Sequence, residues 1–495
     1  MCLTEHYIDE NWNLQKKVIK FCPISSHRGN DIGRAIENCL VDWGLQNVMT
    51  ITVDNASSND VAIEYLVGKM MNWGDRCILK GKWTHVRCIA HIINLILQEG
   101  IKELGTSVDR IRAAVRWVRL SPARLKKFKE FALLEKVECQ KSLVLDVLTH
   151  WNSTYLMLSV ASEYERAFKR FIEEDYVFSR DLQEGCGVLE LTDWENARRL
   201  GCFLEHFYEL TLRVSGTNYI TSNTYLDSIS FMDSVLKQCM SSNDDQLSNM
   251  AMSMTLKFNK YWGDLNKFNL LVFIASLFDP RTKLAYLKVN LRGMYGNETG
   301  DKVVQLCENA LLEIFNDYKR IHSDVHSNKA SSSSSKIVNE ETSSTKGFSL
   351  FGNVDDTFKS LRERKMAEVK RQKAELGVTE DLKTELDRYL KEEIEGDDVW
   401  FESQDFIVLG WWRKKSPAFP ILSLVARDIL AIPISTVASE STSSTGGRVL
   451  DSFRSSLTPQ AVEALICCQD WIRSNGVASN VEESIEDIDR LEAGH

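Results

Sequence analysis

The chain has 495 residues, a length that fits two to four domains, with 43% apolar and 26% charged side chains. Its net charge of −10 gives no overall positive field for nucleic acid, so any DNA contact requires a local basic patch. Twelve cysteines contain no C-x-x-C pair, which argues against a zinc ribbon, a C2H2 finger or a redox motif and for reduced thiols.

In chain order, residues 1–105 read as mixed α/β. The opening MCLTEHYIDENW lacks the basic and apolar regions of a signal peptide. MCLTEHYI and VMTITVD have strand composition. DIGRAIENCLVDWG predicts a helix capped by Asp31 and ended by Gly44. DVAIEYLVGKMMNW predicts a second, capped by Asn59 or Asp60, and CIAHIINLILQEGIKEL a third. Residues 106–320 are helical in pattern almost throughout, interrupted by proline only at Pro122 and Pro280. NLLVFIASLF, the longest apolar run, is about half the ~20 residues of a membrane span. Residues 321–378 read as a serine-rich flexible linker followed by a charged, solvated helix. Residues 379–475 form a compact apolar block, and 476–495 an acidic tail.

Several clusters carry candidate chemistry. Asp54, at the end of ITVD, is either a metal-binding carboxylate or a turn opener bonding the backbone ahead of it. His85, Cys88 and His91 are three apart, but a structural zinc needs a fourth ligand and none is near. In VRWVRLSPARLKKFKEF, Arg116, Arg119, Arg124, Lys126 and Lys127 stand among Trp117 and Phe128. That pattern fits either a phosphate clamp or a solvated face. Trp151 leads Asn152-Ser153-Thr154 like an aromatic anchor at a helix cap. Glu440 sits among small residues that allow close backbone approach. PILSLVARDILAIP is apolar around most of its circumference through Ile421, Leu424, Val425, Ile429 and Leu430, so it must be covered on all sides. With Trp411 and Trp412 upstream, and Leu465 and Trp471 in a later helix, the C-terminal block carries more apolar surface than it buries alone, with the core of the same chain and a second copy as its two outlets.

Nine segments together resemble the plant hAT-superfamily transposases and their RICESLEEPER and DAYSLEEPER relatives: HYIDENWNL, ITVDNASSND, CIAHIINLI, VRLSPARL, HWNSTYLML, LFDPRTKL, ELDRYL, WWRKKSPAFPILSLVARDILAIPISTVASES and TGGRVLDSFRSSLTPQAVEALICCQDW. The resemblance implies a fold of α/β plus a large all-α insertion. In it, an incomplete ribonuclease-H-like core (1–105) is interrupted by a helical domain (106–320) and followed by a C-terminal dimerisation region (379–475). It implies three carboxylates, Asp, Asp and Glu, that hold two divalent metals for strand transfer. Asp54 matches the second and Glu440 the third. The first belongs to a strand upstream of HYID, which together with a BED-type zinc finger is expected to lie outside this sequence. Cys88, His91 and Trp151 match family motif positions. His150 stands where the family has Arg, and Ser443 where it has an apolar anchor.

The expectation is a catalytically inactive, transposase-derived nuclear protein with vestigial Asp54 and Glu440. It homodimerises through its C-terminal block and contacts DNA weakly and non-specifically through the basic cluster. No membrane, small-molecule substrate or bound cofactor is expected; magnesium or manganese would be expected only at an intact family site. Two rivals stand beside it. One is a working metal-dependent nuclease or transposase with Asp9 as the nearest further carboxylate. The other is an interaction scaffold without DNA binding.

Overall fold

The computed structural model describes residues 1–323, 361–371, 384–391, 407–449 and 457–474, apart from positions 25, 46, 74–77, 148–149, 268, 363 and 370. The linker 324–360, the end of the charged helix and the acidic tail therefore lie outside the described residues, as does LDSFRS at 450–455. β1 (Cys2–Ile8) and β2 (Leu14–Phe21) form an antiparallel hairpin. Asp9 accepts hydrogen bonds from the backbone of Asn11 and Asn13, each at 2.9 Å, so it is the turn residue of this hairpin rather than a free carboxylate. Trp12 takes a left-handed backbone, φ 64°, which is costly for a non-glycine residue; its ring is held against Trp412, with centroids 6.2 Å apart. The register slips between Leu3↔Lys20 and Thr4↔Val18, leaving Ile19 as a bulge. The sequence reading placed β1 but not β2, whose three lysines obscure the alternation.

α1 (Gly29–Asp42) and α2 (Ser57–Met70) pack together beside β3 (Ile51–Val53). The crossing is close: a Cβ on Gly29 would lie 2.5 Å from the Ser58 carbonyl oxygen. α1 begins two residues before the expected cap, with Arg28 as its N-cap and Asp31 in the first turn, where it favours the helix dipole. Gly44 ends it as expected, at φ +67°, with Leu45 N–H bonding the Leu40 carbonyl. β3 pairs in parallel with β4 (His85–Arg87), a strand too short for periodicity to reveal. Among the described residues no ladder joins β1–β2 to β3–β4.

Helices follow: α3 (Ile89–Glu103), α4 (Gly105–Arg119), α5 (Pro122–Leu134), α6 (Trp151–Glu163), α7 (Glu165–Glu174), α8 (Tyr176–Glu184), α9 (Leu191–Val214), α10 (Tyr225–Met240), α11 (Asp245–Trp262), α12 (Leu270–Ile274), α13 (Lys283–Tyr295) and α14 (Asn297–Ser323). The expected large helical domain is present. Its longest apolar run does not span anything: Leu271–Phe278 forms α12 and a 3-10 turn buried at the centre of the molecule. No described helix is long and apolar enough to cross a membrane.

The charged stretch KSLRERKMAEVKRQK is not the solvated face expected of it. Its described helical residues place Met366 and Val369 against Tyr286, and Lys365 Nζ donates to Ser230 Oγ and Asn290 Oδ1, both at 2.6 Å. Its neutralising glutamates hid the apolar positions.

The C-terminal region comprises α15 (Glu385–Lys391), α16 (Val408–Lys415), α17 (Pro420–Leu430), α18 (Val437–Val449) and α19 (Pro459–Ser474). One hydrophobic core runs from Ile8 and Trp12 through the helical domain to Ile434, so this region is built into the rest of the chain.

Candidate functional site

The last residue of β3, Val53, is where the two carboxylate positions come closest in connectivity. Cys88 N–H donates to the Val53 carbonyl at 2.9 Å. Cys88 Sγ accepts from Thr436 N–H at 3.3 Å and from His91 N–H at 3.5 Å, capping α3. Thr436 Oγ1 donates to Glu440 Oε1 at 2.6 Å. Ile89 N–H donates to the Ile434 carbonyl at 2.9 Å, and Thr52 Oγ1 to the Pro433 carbonyl at 2.6 Å. A short relay thus ties the end of the Asp54 strand to the first turn of the Glu440 helix, though 386 residues separate them in sequence (440 minus 54). Burial pushes the Cys88 thiol up, opposed by its hydrogen bonds from Thr436 and His91, and Glu440 adds to the rise. The thiol is therefore a neutral packing and hydrogen-bonding group, not a thiolate ligand.

Asp54 is half-buried. Its Oδ1 accepts from Ala56 N–H at 2.9 Å and Asn59 Nδ2 at 2.7 Å, closing the turn into α2. Neither residue expected to cap α2 does so: Ala56 is its N-cap, Asn59 bonds Asp54, and Asp60 pairs with Arg87 at 2.7 Å. Asn55 has both side-chain amide atoms buried with no partner among the described residues. His85 is held below the usual imidazole range by burial and then by Arg87, against the pull of Asp60. Among the described residues no three His, Cys, Asp or Glu side chains form a group able to hold a metal ion.

The basic segment divides into two halves. Arg124 lies 3.6 Å over the Trp117 ring, and Lys127 Nζ pairs with Asp175 Oδ2 at 2.7 Å. These two were expected to face DNA, but aromatic and acidic neighbours on α4 and α8's cap engage them within the chain. Arg116, Arg119 and Lys126 are exposed, and among the described residues no ion pair engages them. Phe128 is buried against Phe168 and Tyr164. Trp151, also buried, donates its backbone N–H to Asn94 Oδ1 at 3.4 Å.

α17 is covered by its own chain: α14, β1, α15, α16 and the Ala275–Phe278 turn pack around it. Val425, Ile429 and Leu430 are fully buried, with Ile421 and Leu424 half-buried. Trp412 is fully buried and donates its indole N–H to the Phe278 carbonyl at 2.7 Å. Trp411 is also buried. Of the two outlets expected for this apolar surface, the core of the same chain supplies these partners. Leu465, by contrast, is half-exposed, while Trp471 anchors α19 by donating to the Val18 carbonyl at 2.9 Å. Thr436 was not foreseen as part of the site; a threonine just before the helix that carries Glu440 in its first turn was the available signal.

Comparison with known proteins matches four segments to family profiles. Residues 1–82 match the ZBED1 RNase-like domain and 86–200 the ZBED1 RNase-like helical domain. Residues 223–318 match the hAT-like transposase, RNase-H fold, and 385–472 the hAT family C-terminal dimerisation region. The chain is 31% identical over 481 residues to zinc finger BED domain-containing protein RICESLEEPER 2 of Oryza sativa subsp. japonica, covering 95% of this chain and 62% of that protein. It is 30% identical to RICESLEEPER 4 of the same species, covering 95% and 67%. To DAYSLEEPER of Arabidopsis thaliana it is 27% identical, covering 97% and 62%. The chain thus spans roughly three-fifths of the length of these relatives. An α/β unit tied to a C-terminal segment across a large helical domain, with matches along nearly its whole length, places the chain in the hAT family of transposases and transposase-derived proteins.

Proposed function

We propose that these 495 residues form a catalytically silent, hAT-derived nuclear protein that homodimerises and contacts the DNA backbone weakly. The observation that carries the first part is the engagement of the two carboxylate positions. Asp54 is committed to its turn, Glu440 to Thr436, and no third acidic group joins them among the described residues. Two magnesium or manganese ions need a shared set of oxygen ligands. Among the described residues, those present do not fit such a pair. The test is incubation of the chain with supercoiled plasmid and manganese. No nicking above an Asp54→Asn control is expected; nicking that Asp54→Asn abolishes would overturn the reading.

The dimerisation region at 385–472 supports the homodimer. Exposed Arg116, Arg119 and Lys126 support the DNA contact, as cations that no ion pair engages among the described residues. The BED zinc finger names of the relatives support nuclear residence.

One observation favours a second reading. Met1 and Leu3, at the start of the hairpin, share a hydrophobic cluster with Ile51 and Val53 of β3, yet among the described residues no ladder joins the strands and the Asn55 side chain has no partner. A strand entering there from outside these residues would bring the carboxylate that the family resemblance places upstream of β1. Asp54-dependent nicking by a longer chain, and not by this one, would support it.

A further inference from the structure

The apolar residues that the C-terminal region leaves in water are not those of α17. On α19, Val462, Ile466 and Cys467 are buried against β2, while Leu465 is 50% exposed, Ile472 is 74% exposed, and Cys468 is exposed between them. At 100° per residue, positions 465, 468 and 472 fall within one narrow arc of the helix. The opposite edge of α19 is fixed. Asp470 Oδ2 accepts from Val18 N–H at 2.8 Å, Trp471 Nε1 donates to the Val18 carbonyl at 2.9 Å, and Lys20 pairs with Glu463 at 3.1 Å. The bulge in β2 supplies these backbone groups, so α19 cannot roll to hide its outer stripe without losing them. Trp43, 48% exposed, packs edge-on against Trp471 at 5.8 Å and donates its indole N–H to the Ile19 carbonyl at 2.9 Å, extending the apolar surface from α19 to the end of α1.

We infer that this surface, Leu465, Cys468 and Ile472 with Trp43 at its edge, is where a second copy of the chain docks. The inference rests on the homodimer reading and specifies its surface. The occupant follows from continuity: the stripe closes the segment matched to the hAT dimerisation region, and among the described residues that segment's other large apolar side chains, Ile407 aside, are mostly consumed inside the chain. A twofold pairing sets the same stripe against itself, as an isologous interface requires.

Sedimentation equilibrium of the full chain tests this, comparing the wild type with Leu465→Lys/Ile472→Lys. Both positions are exposed, so the variant is expected to fold, with a cooperative thermal transition at a concentration where neither protein dimerises. The wild type should dimerise and the variant should do so ~100-fold more weakly or not at all, because two apolar contacts are replaced by like charges at an interface centre. A second readout is alkylation under native conditions, followed by peptide mass spectrometry. Cys468 should react more slowly than the exposed Cys186 and Cys202 in the wild type, and at their rate in the variant. A wild-type dimer undiminished in the variant, with Cys468 equally reactive in both, overturns the surface assignment and leaves the dimer standing. A monomeric wild type overturns the dimer itself.

Discussion

Trp412 separates two accounts of the C-terminal tryptophans, one as anchors between copies and one as a joint within a copy. Its ring contacts Trp12 from the β1–β2 turn, Phe278 from the central 3-10 turn, and Tyr389, Trp411 and Phe419 from its own region. Replacing it with alanine removes a fully buried aromatic, which costs about 3–5 kcal/mol. It also leaves the Phe278 carbonyl without its donor, adding about 1–3 kcal/mol. The total, about 4–8 kcal/mol, is comparable with the entire stability of many domains. Trp412→Phe keeps most of the ring and loses the donor, so it should cost about 1–3 kcal/mol. Chemical denaturation followed by circular dichroism measures both. The loss should be the same at low and high protein concentration, because a residue buried within one copy is not linked to association by mass action. A Trp412→Ala protein within about 1 kcal/mol of the wild type would refute the reasoning, as would a loss that shrinks as protein concentration rises.

Reversing Arg116, Arg119 and Lys126 to Glu should lower the magnitude of the salt slope of DNA binding by about 0.9 for each phosphate contact removed, whereas Lys127→Ala should leave it unchanged because Lys127 already serves Asp175; an unaltered slope in the triple variant removes the basic cluster from the DNA account. Lys365 is lowered to about 8 from 10.5 by burial, against the pull of Asp227 and Asp233. Between those values the unfolded chain binds more protons than the folded one, so stability should rise with pH across about 8 to 10.5. Lys365→Met should flatten that rise in denaturation curves measured at each pH, and an identical rise in the variant would show that Lys365 is not its source. Gly29→Ala should destabilise the α1–α2 pair by about 1–3 kcal/mol, since its Cβ would meet the Ser58 backbone oxygen at 2.5 Å, and a neutral result would mean that the helices part without cost.

The order of units was legible in the sequence because each unit has its own texture. Strand-like runs and capped helices open the chain, long 3.6-residue periodicity follows, and large apolar residues close it. Two kinds of feature were not legible. The first is pairing at a distance: β2 hides among Lys16, Lys17 and Lys20, while the backbone of Val18 between them is captured by Asp470 and Trp471 some 450 residues later. The second is the direction of an apolar excess. Composition showed that α17 must be covered and left two outlets, the core of the same chain and a second copy, and the structure covers it from within. Asp54 illustrates a third limit. The metal-ligand and turn-opener readings require the same residue at the same strand end, and only the bonds from Ala56 and Asn59 show the carboxylate in use as a turn.

The covering of α17 has a consequence for how dimerisation can be studied. A fragment matching the dimerisation region alone, residues 385–472, would lose Phe278, Trp12, α14 and β1 as neighbours of Trp412, Val425 and Ile429. The apolar surface so bared would associate whether or not the native chain does, because buried aromatic and aliphatic groups returned to water seek any cover. It would also lose the bulge in β2 that orients α19, so the stripe at Leu465 and Ile472 would no longer be presented from a fixed mount. Self-association of that fragment therefore carries no information about the native pairing, and only the full chain, with α17 sealed and α19 held, offers the surface on which a second copy must fit.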